Sequence, residues 1–295
     1  MIYTDKIMKS LRLLAIIASI ALASSCQKFL DLVPPSSSTV ASFYKSQADF
    51  MQAVNGTYAS LRDQYGYGYY MLFTDLRSDN TTISGAGGAV ESQKLEIDNF
   101  TIPANNEHLL TYWRVSYQAL QKANGILSHI DGVDFDKAKK DQFIGESKVI
   151  RALTYFNLVR MFGGVPLIKV SDVSISASYN VPRSTVDEVY SFIISDLTEA
   201  IPLLPETYST DEAGRITKGA AQSLLGQVYM TVTPKKYTDA AIMFGSVISG
   251  GNYGLLSKYE DNFTGDNQGN SEAILQILFK RGGMGLGSSY PNWCA

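Results

Sequence analysis

The chain has little of what most catalytic and nucleic-acid-binding proteins are built from. Its 295 residues include only two cysteines, which cannot make a disulfide scaffold or a four-cysteine zinc site. Its two histidines, His108 and His129, leave almost nothing for His-based metal centres. Charged residues are 18% of the chain, with 25 basic and 28 acidic. Without a positive surplus for phosphate backbones, nucleic acid is not an expected partner. GxSxG, Walker A and HExxH are absent, and no GxGxxG follows a strand pattern, so hydrolase-elbow, P-loop, zincin and dinucleotide chemistry have no motif. No apolar run approaches the ~20 residues that span a bilayer. What is present is a globular composition, 45% hydrophobic, and a surplus of tyrosine: 18 Tyr against 2 Trp.

The first residues read as a targeting segment. Lys9 and Arg12 precede the ten-residue apolar run Leu13–Leu22, then Ala23-Ser24-Ser25-Cys26. An ordinary signal peptide with an incidental cysteine fits this pattern. A bacterial lipoprotein signal, with Cys26 as the lipidated first residue of the mature chain, fits it more specifically. Met8 is a plausible true start. Lipidation would anchor the chain to a membrane surface without spanning it. It would leave Cys294 without a disulfide partner. Cleavage after Ser25 removes Lys6, Lys9, Arg12 and Asp5, leaving 22 basic and 27 acidic residues.

Three segments are expected: a signal over 1–25, an extended Pro- and Ser-rich tether over 26–45, and a helical domain over 46–295. Ser46-x-x-Asp49 and Thr185-x-x-Glu188 are capping boxes. Phe50, Val54, Tyr58 and Leu61 lie on one helical face. Leu109, Trp113, Tyr117, Leu120, Asn124 and Leu127 form a second stripe, with Asn124 read as a buried, hydrogen-bonded core residue. A third helix spans 137–162 and stops at Gly163-Gly164-Val165-Pro166. Val186, Val189, Ile193, Leu197 and Ile201 mark a fourth, and 218–232 and 236–249 two more, separated by Pro234. Residues 63–106 read as irregular, and Ala273–Phe279 as a possible strand. Leu225-Gly226-x-x-Tyr229 followed by Ala240-x-x-x-Phe244 suggests stacked, tetratricopeptide-like helical hairpins. The fold class is therefore mainly α, with long irregular loops and little strand. One helix carries both histidines 21 residues apart, about 31 Å along its axis, so they cannot share a site. Asp75 and Asp79 do not establish a glycosidase pair from sequence alone. Asp261, Asp266, Asn267 and Asn270 make a calcium-like loop that misses the Gly and Glu positions of the EF-hand template. No metal and no cofactor are expected.

Six blocks, in order, make the chain resemble the SusD/RagB family of Bacteroidetes nutrient-uptake lipoproteins. They are CQKFLDLVPPS (26–36), GESKVIRALTYFNLVRMFGGVPLI (145–168), STVDEVYSFIISDLTEAIPLLP (184–205), GRITKGAAQSLLGQVYMT (214–231), YTDAAIMFGSVISGGNYGL (237–255) and NSEAILQILF (270–279). The resemblance covers residues 26 to about 280. The family's second half has no counterpart, so the sequence is expected to be an N-terminal portion, either a fragment or the product of a truncated gene. The resemblance implies a tetratricopeptide-like scaffold and lipid anchoring at the outer membrane, facing the cell exterior. It implies a SusC-type TonB-dependent barrel as partner, and capture of glycans, or of peptides in the RagB branch, without bond cleavage.

Sugar rings offer apolar C–H faces and a rim of hydroxyls, which flat aromatics and planar polar side chains recognise. The expected ligand residues are Tyr67, Tyr69 and Tyr70 of the YGYGYY run, Arg77, Asp79 and Asn80 just after it, and Tyr290 and Trp293 near the end. For the tyrosines, core packing at a helix end is the competing reading. A frayed terminus explains Tyr290 and Trp293 equally well. Phe100 is the only ring available between 81 and 105. Glu146 and Arg151 read as an internal ion pair.

Overall fold

A computed structural model describes residues 43–66, 69–83, 89–170, 180–264 and 266–279, with backbone alone at 89–91. The chain divides into residues 1–43 and 44–295, and everything below concerns the second unit. Cys26 and residues 26–42 of the expected tether lie outside the described residues.

Among the described residues eight α-helices follow one another: α1 Gln47–Tyr65, α2 Tyr69–Thr74, α3 Ala89–Asp98, α4 Glu107–His129, α5 Lys137–Phe162, α6 Val186–Ala200, α7 Lys218–Thr231 and α8 Tyr237–Ser249. Among the described residues the architecture is helical, in line with the expected mainly-α class. α1 packs on α4 and α5, and the stack then runs α4–α5, α5–α6, α6–α7 and α7–α8. Local chemistry starts the helices. Ser46 and Thr185 each form a complete capping box, with Asp49 and Glu188 returning a carboxylate to the cap backbone. Asn106 caps α4 by accepting from the His108 and Leu109 amides. Tyr44, just before α1, stacks on His129 with ring centroids 4.7 Å apart.

α5 is the central element. Val149, Ile150, Ala152, Tyr155, Phe156, Leu158 and Val159 are all buried, and no single stripe can hold that run. A helix buried on all sides must be surrounded by other elements. Fully burying side chains of this size contributes roughly 1.5–3 kcal/mol each. The helix ends where Gly163 adopts φ 72° and donates to the Val159 carbonyl. Gly164 then passes so close to the Ser184 carbonyl that a Cβ would collide with it. The Arg183 side chain donates to the freed carbonyls of Phe162 and Gly164. The hairpin signature also has a physical basis. A Cβ on Gly226 of α7 would sit 2.6 Å from Phe244 Cε1 of α8, so the missing side chain lets the Phe244 ring in.

Three expectations need correction. Residues 63–106 are not irregular throughout, because α1 extends to Tyr65 and two short helices follow. Leu72, Phe73, Leu76 and Ile97 from this stretch close a small separate core on Tyr112 of α4. Ala273–Phe279 forms no strand, for no ladder exists among the described residues. Asn270 Oδ1 instead accepts from the Glu272 and Ala273 amides, and Ile274, Leu275 and Ile277 pack against the main core. Glu146 and Arg151 do not pair. At about 100° per residue they point roughly 140° apart around α5. Arg151 binds Asp196 of α6 through two 2.7 Å hydrogen bonds, and Glu146 pairs with Arg215 at 2.8 Å. Asn124 is a satisfied core residue, accepting from Arg151 Nη1 and donating to the Ile168 carbonyl.

Candidate functional site

The aromatic region after α1 is built on the small core just named. Tyr69 and Tyr70 open α2, half-buried against it. The Tyr70 ring lies 4.8 Å from that of Tyr65, and its hydroxyl accepts from Arg160 Nη2 at 3.1 Å. Arg160 Nη2 also donates to Asn157 Oδ1, whose Nδ2 donates to the Tyr65 hydroxyl at 2.6 Å. Arg160 lies 4.1 Å over Phe156. Burial pushes the Tyr65 hydroxyl well above its ordinary pKa, and the hydrogen bond from Asn157 only partly opposes this, so it stays a neutral hydroxyl. The two readings of the YGYGYY run therefore meet at Tyr70. Its ring packs inward while its hydroxyl reaches the exposed Arg160. Asn157 and Arg160 were not singled out from sequence, because nothing local ties the end of α5 to a loop some ninety residues earlier.

Arg77, Asp79 and Asn80 share one turn. The Asp75 carbonyl accepts from the Ser78 amide, the Ser78 hydroxyl and the Thr81 hydroxyl. The Asp98 carboxylate at the end of α3 accepts from Thr82 Oγ1 and the Ile83 amide. So pinned, the turn exposes Asp79 and Asn80, and Arg77 lies 5.2 Å from the ring centroid of Phe100. Phe100 is 63% exposed and holds φ 58°, a left-handed conformation uncommon outside glycine. Backbone strain and an exposed ring together are features of binding sites. Tyr67, Tyr290 and Trp293 lie outside the described residues. The last described residue, Phe279, presses its ring on Gly66, where a Cβ would meet it at 2.6 Å, and lies under Arg62. The C-terminal segment thus reaches the end of α1, beside the tyrosine run.

A separate, concave feature runs along α1. It is a cleft of about 460 Å³ between Asn55–Arg62, the 211–215 loop and Leu275–Leu278. Behind it Glu146 is fully buried, accepting from Arg215 Nη1, Gln142 Nε2 and the Tyr208 hydroxyl. Burial raises the Glu146 carboxyl above the ordinary glutamate range, and the three donors offset part of that rise. Among the described residues no group of three or more His, Cys, Asp or Glu side chains is placed to hold a metal. In the calcium-like loop, Asn267 and Asn270 instead donate to the carbonyls of Asp261 and Asn267. No helix among the described residues is long and apolar enough to cross a membrane.

Comparison with known proteins adds to this geometry. A SusD-like family model, described as starch-binding and associating with the outer membrane, matches residues 28–230. SusD-like protein P2 of Formosa agariphila is 31% identical over 191 residues, covering 64% of this chain and 37% of that protein. SusD-like protein P25 of the same organism is 27% identical over 282 residues, 91% of this chain and 53% of that one. The solved structure of a laminarin-binding SusD-like protein superposes with a TM-score of 0.71 at 32% identity, over 79% of this chain and 51% of its own. The chain spans about half the length of the relatives it matches.

Proposed function

We propose that this chain, which belongs to the SusD-like family, is a non-catalytic lipoprotein that captures glycans at the bacterial outer membrane. The observation that carries the reading is the exposed Phe100 ring stacked on Arg77, with Asp79 and Asn80 presented by the same turn. A flat ring offers a face to sugar C–H groups, while guanidinium, carboxylate and amide take hydroxyls in pairs. Tyr70 and Arg160 extend this surface, and Tyr67, Tyr290 and Trp293 stay proposed ligand residues on their sequence alone. The starch-binding description of the family and the laminarin-binding relative make neutral glucans the first ligands to test. In this reading Cys26 carries the lipid after removal of residues 1–25, residues 26–45 tether the domain, and the captured glycan passes to a SusC-like TonB-dependent barrel.

Native electrophoresis in gels containing starch or laminarin tests the site. The chain should be retarded, with no product released. Arg77→Ala/Phe100→Ala should lose at least half of the retardation while keeping its helical circular dichroism. Full retardation of that variant refutes the site. Transport partnership is tested by co-purification of a large outer-membrane protein, and anchoring by mass spectrometry of the Cys26→Ser variant. A peptide- or protein-binding scaffold is the second reading. The outer face of α8 supports it, for Tyr237, Ile242 and Ile248 are 57–80% exposed. That reading predicts co-purification with a protein and no retardation by any glycan.

A further inference from the structure

We propose that the cleft along α1 is a second binding site of this chain, shaped for one neutral sugar ring and separate from the Arg77–Phe100 surface. The inference rests on the glycan-binding reading above. The argument starts from two amides. Asn55 Oδ1 accepts from Arg215 Nη2 at 2.8 Å, and Gln276 Oε1 accepts from the Gly269 amide at 2.6 Å. Both partners are donors only, so each side chain must present its oxygen to the protein and keep its NH2 for something else. Both residues line the same cleft.

Neither amide is held loosely. Arg215 is fixed from behind by the buried Glu146, and Gln276 sits on the segment that runs to the Phe279–Gly66 contact. The site therefore has two pre-oriented donors, which removes part of the ordering cost of binding. Asp211, exposed on the rim, supplies an acceptor, and Leu275, Ile277 and the Tyr58 ring supply an apolar wall. An apolar wall lined by two amides whose oxygens are already committed, with an acceptor on the rim, is the complement of a pyranose. The lining cations Arg62 and Arg215 are matched in number by Asp211 and Glu212, which favours an uncharged sugar over a uronic acid. The cleft, about 460 Å³, lies within the roughly 300–1,000 Å³ of small-molecule sites.

The test is calorimetric titration of the full chain with maltohexaose and with laminarihexaose, and oligogalacturonate as the charged probe. The variant is Asn55→Asp/Gln276→Glu, which keeps both oxygens that accept from Arg215 and Gly269 but removes both NH2 donors. Gln276→Glu alone is the fallback, since it changes only an extended segment. Wild type should bind a neutral hexasaccharide at two sites. The variant should lose one of them, weakened at least tenfold, and Arg77→Ala/Phe100→Ala should lose the other. An unchanged two-site isotherm in the donor-removing variants overturns the second site but leaves the first standing. One-site binding abolished by Arg77→Ala/Phe100→Ala does the same. Absence of binding to either glucan overturns both readings, and tighter binding of oligogalacturonate overturns the assignment to a neutral ring.

Discussion

Cutting Asp196 back to alanine should be among the most damaging single changes in this fold, although Asp196 touches no proposed ligand. Its carboxylate takes Arg151 Nε and Nη2 at 2.7 Å each, with side chains only 4% and 7% exposed. Arg151 Nη1 continues to Asn124 Oδ1 of α4, and the guanidinium lies 4.9 Å over Phe192. Removing the carboxylate leaves a guanidinium that cannot lose its proton, buried with one amide oxygen and the distant Lys169 carbonyl. Breaking a buried pair from one side costs about 3–5 kcal/mol, whereas replacing both partners by apolar groups of similar volume is close to neutral. For a domain of this size, that loss lowers the melting temperature by about 6–20 °C. Urea unfolding followed by circular dichroism at pH 7 should rank Asp196→Ala as the worst, Asp196→Asn as intermediate, and Arg151→Met/Asp196→Leu as nearest wild type. An Asp196→Ala variant losing less than about 1 kcal/mol refutes the reasoning. So does a double variant as unstable as the single one.

Glu146 should make stability depend on pH in the opposite sense from most carboxylates. Its folded pKa is raised above the ordinary 4.5, so its contribution is fully present below that value and is lost as pH rises through the folded pKa. Glu146→Gln should flatten the fall in urea midpoint as pH rises above 4.5, and identical slopes for the two proteins would dismiss the effect. Glu199 and Glu212, lowered chiefly by hydrogen bonds from Lys148 and Lys139, act below that window, where stability falls with acid in both proteins. Gly226→Val should cost about 1–3 kcal/mol by overpacking against Phe244, and Phe244→Leu should restore part of it. Failure of Phe244→Leu to rescue, read by thermal melts, would place the strain elsewhere.

What was legible in the sequence was what local chemistry decides. The boundaries of α5 follow from a helical run ending at Gly163-Gly164-Val165-Pro166, and both capping boxes form because cap and carboxylate are three residues apart. Gly226 and Phe244 were legible as a hairpin contact because the repeat pattern carries a long-range meaning. The rest lacked such a signal. α2 has six residues, too short for periodicity to show, and owes its helicity to packing on Ile97 and Tyr112. Phe100 was visible only as a ring. Its exposure, its left-handed backbone and its place on Arg77 are tertiary facts.

The misread ion pair shows why. Glu146 and Arg151 are five apart with opposite signs, and nothing in their spacing says which neighbour each one faces. Pointing about 140° apart, they serve two different joints of the stack. Arg151 ties α5 to Asp196 of α6 and to Asn124 of α4, so three consecutive helices share one buried guanidinium. Glu146 ties α5 to Tyr208 and Arg215, in the segment between α6 and α7. Arg215 in turn holds Asn55 of α1 across the cleft. A charge buried in the central helix thus orients an amide on the surface two contacts away. The geometry of the proposed second sugar site is accordingly set by the core as much as by the loops that line it.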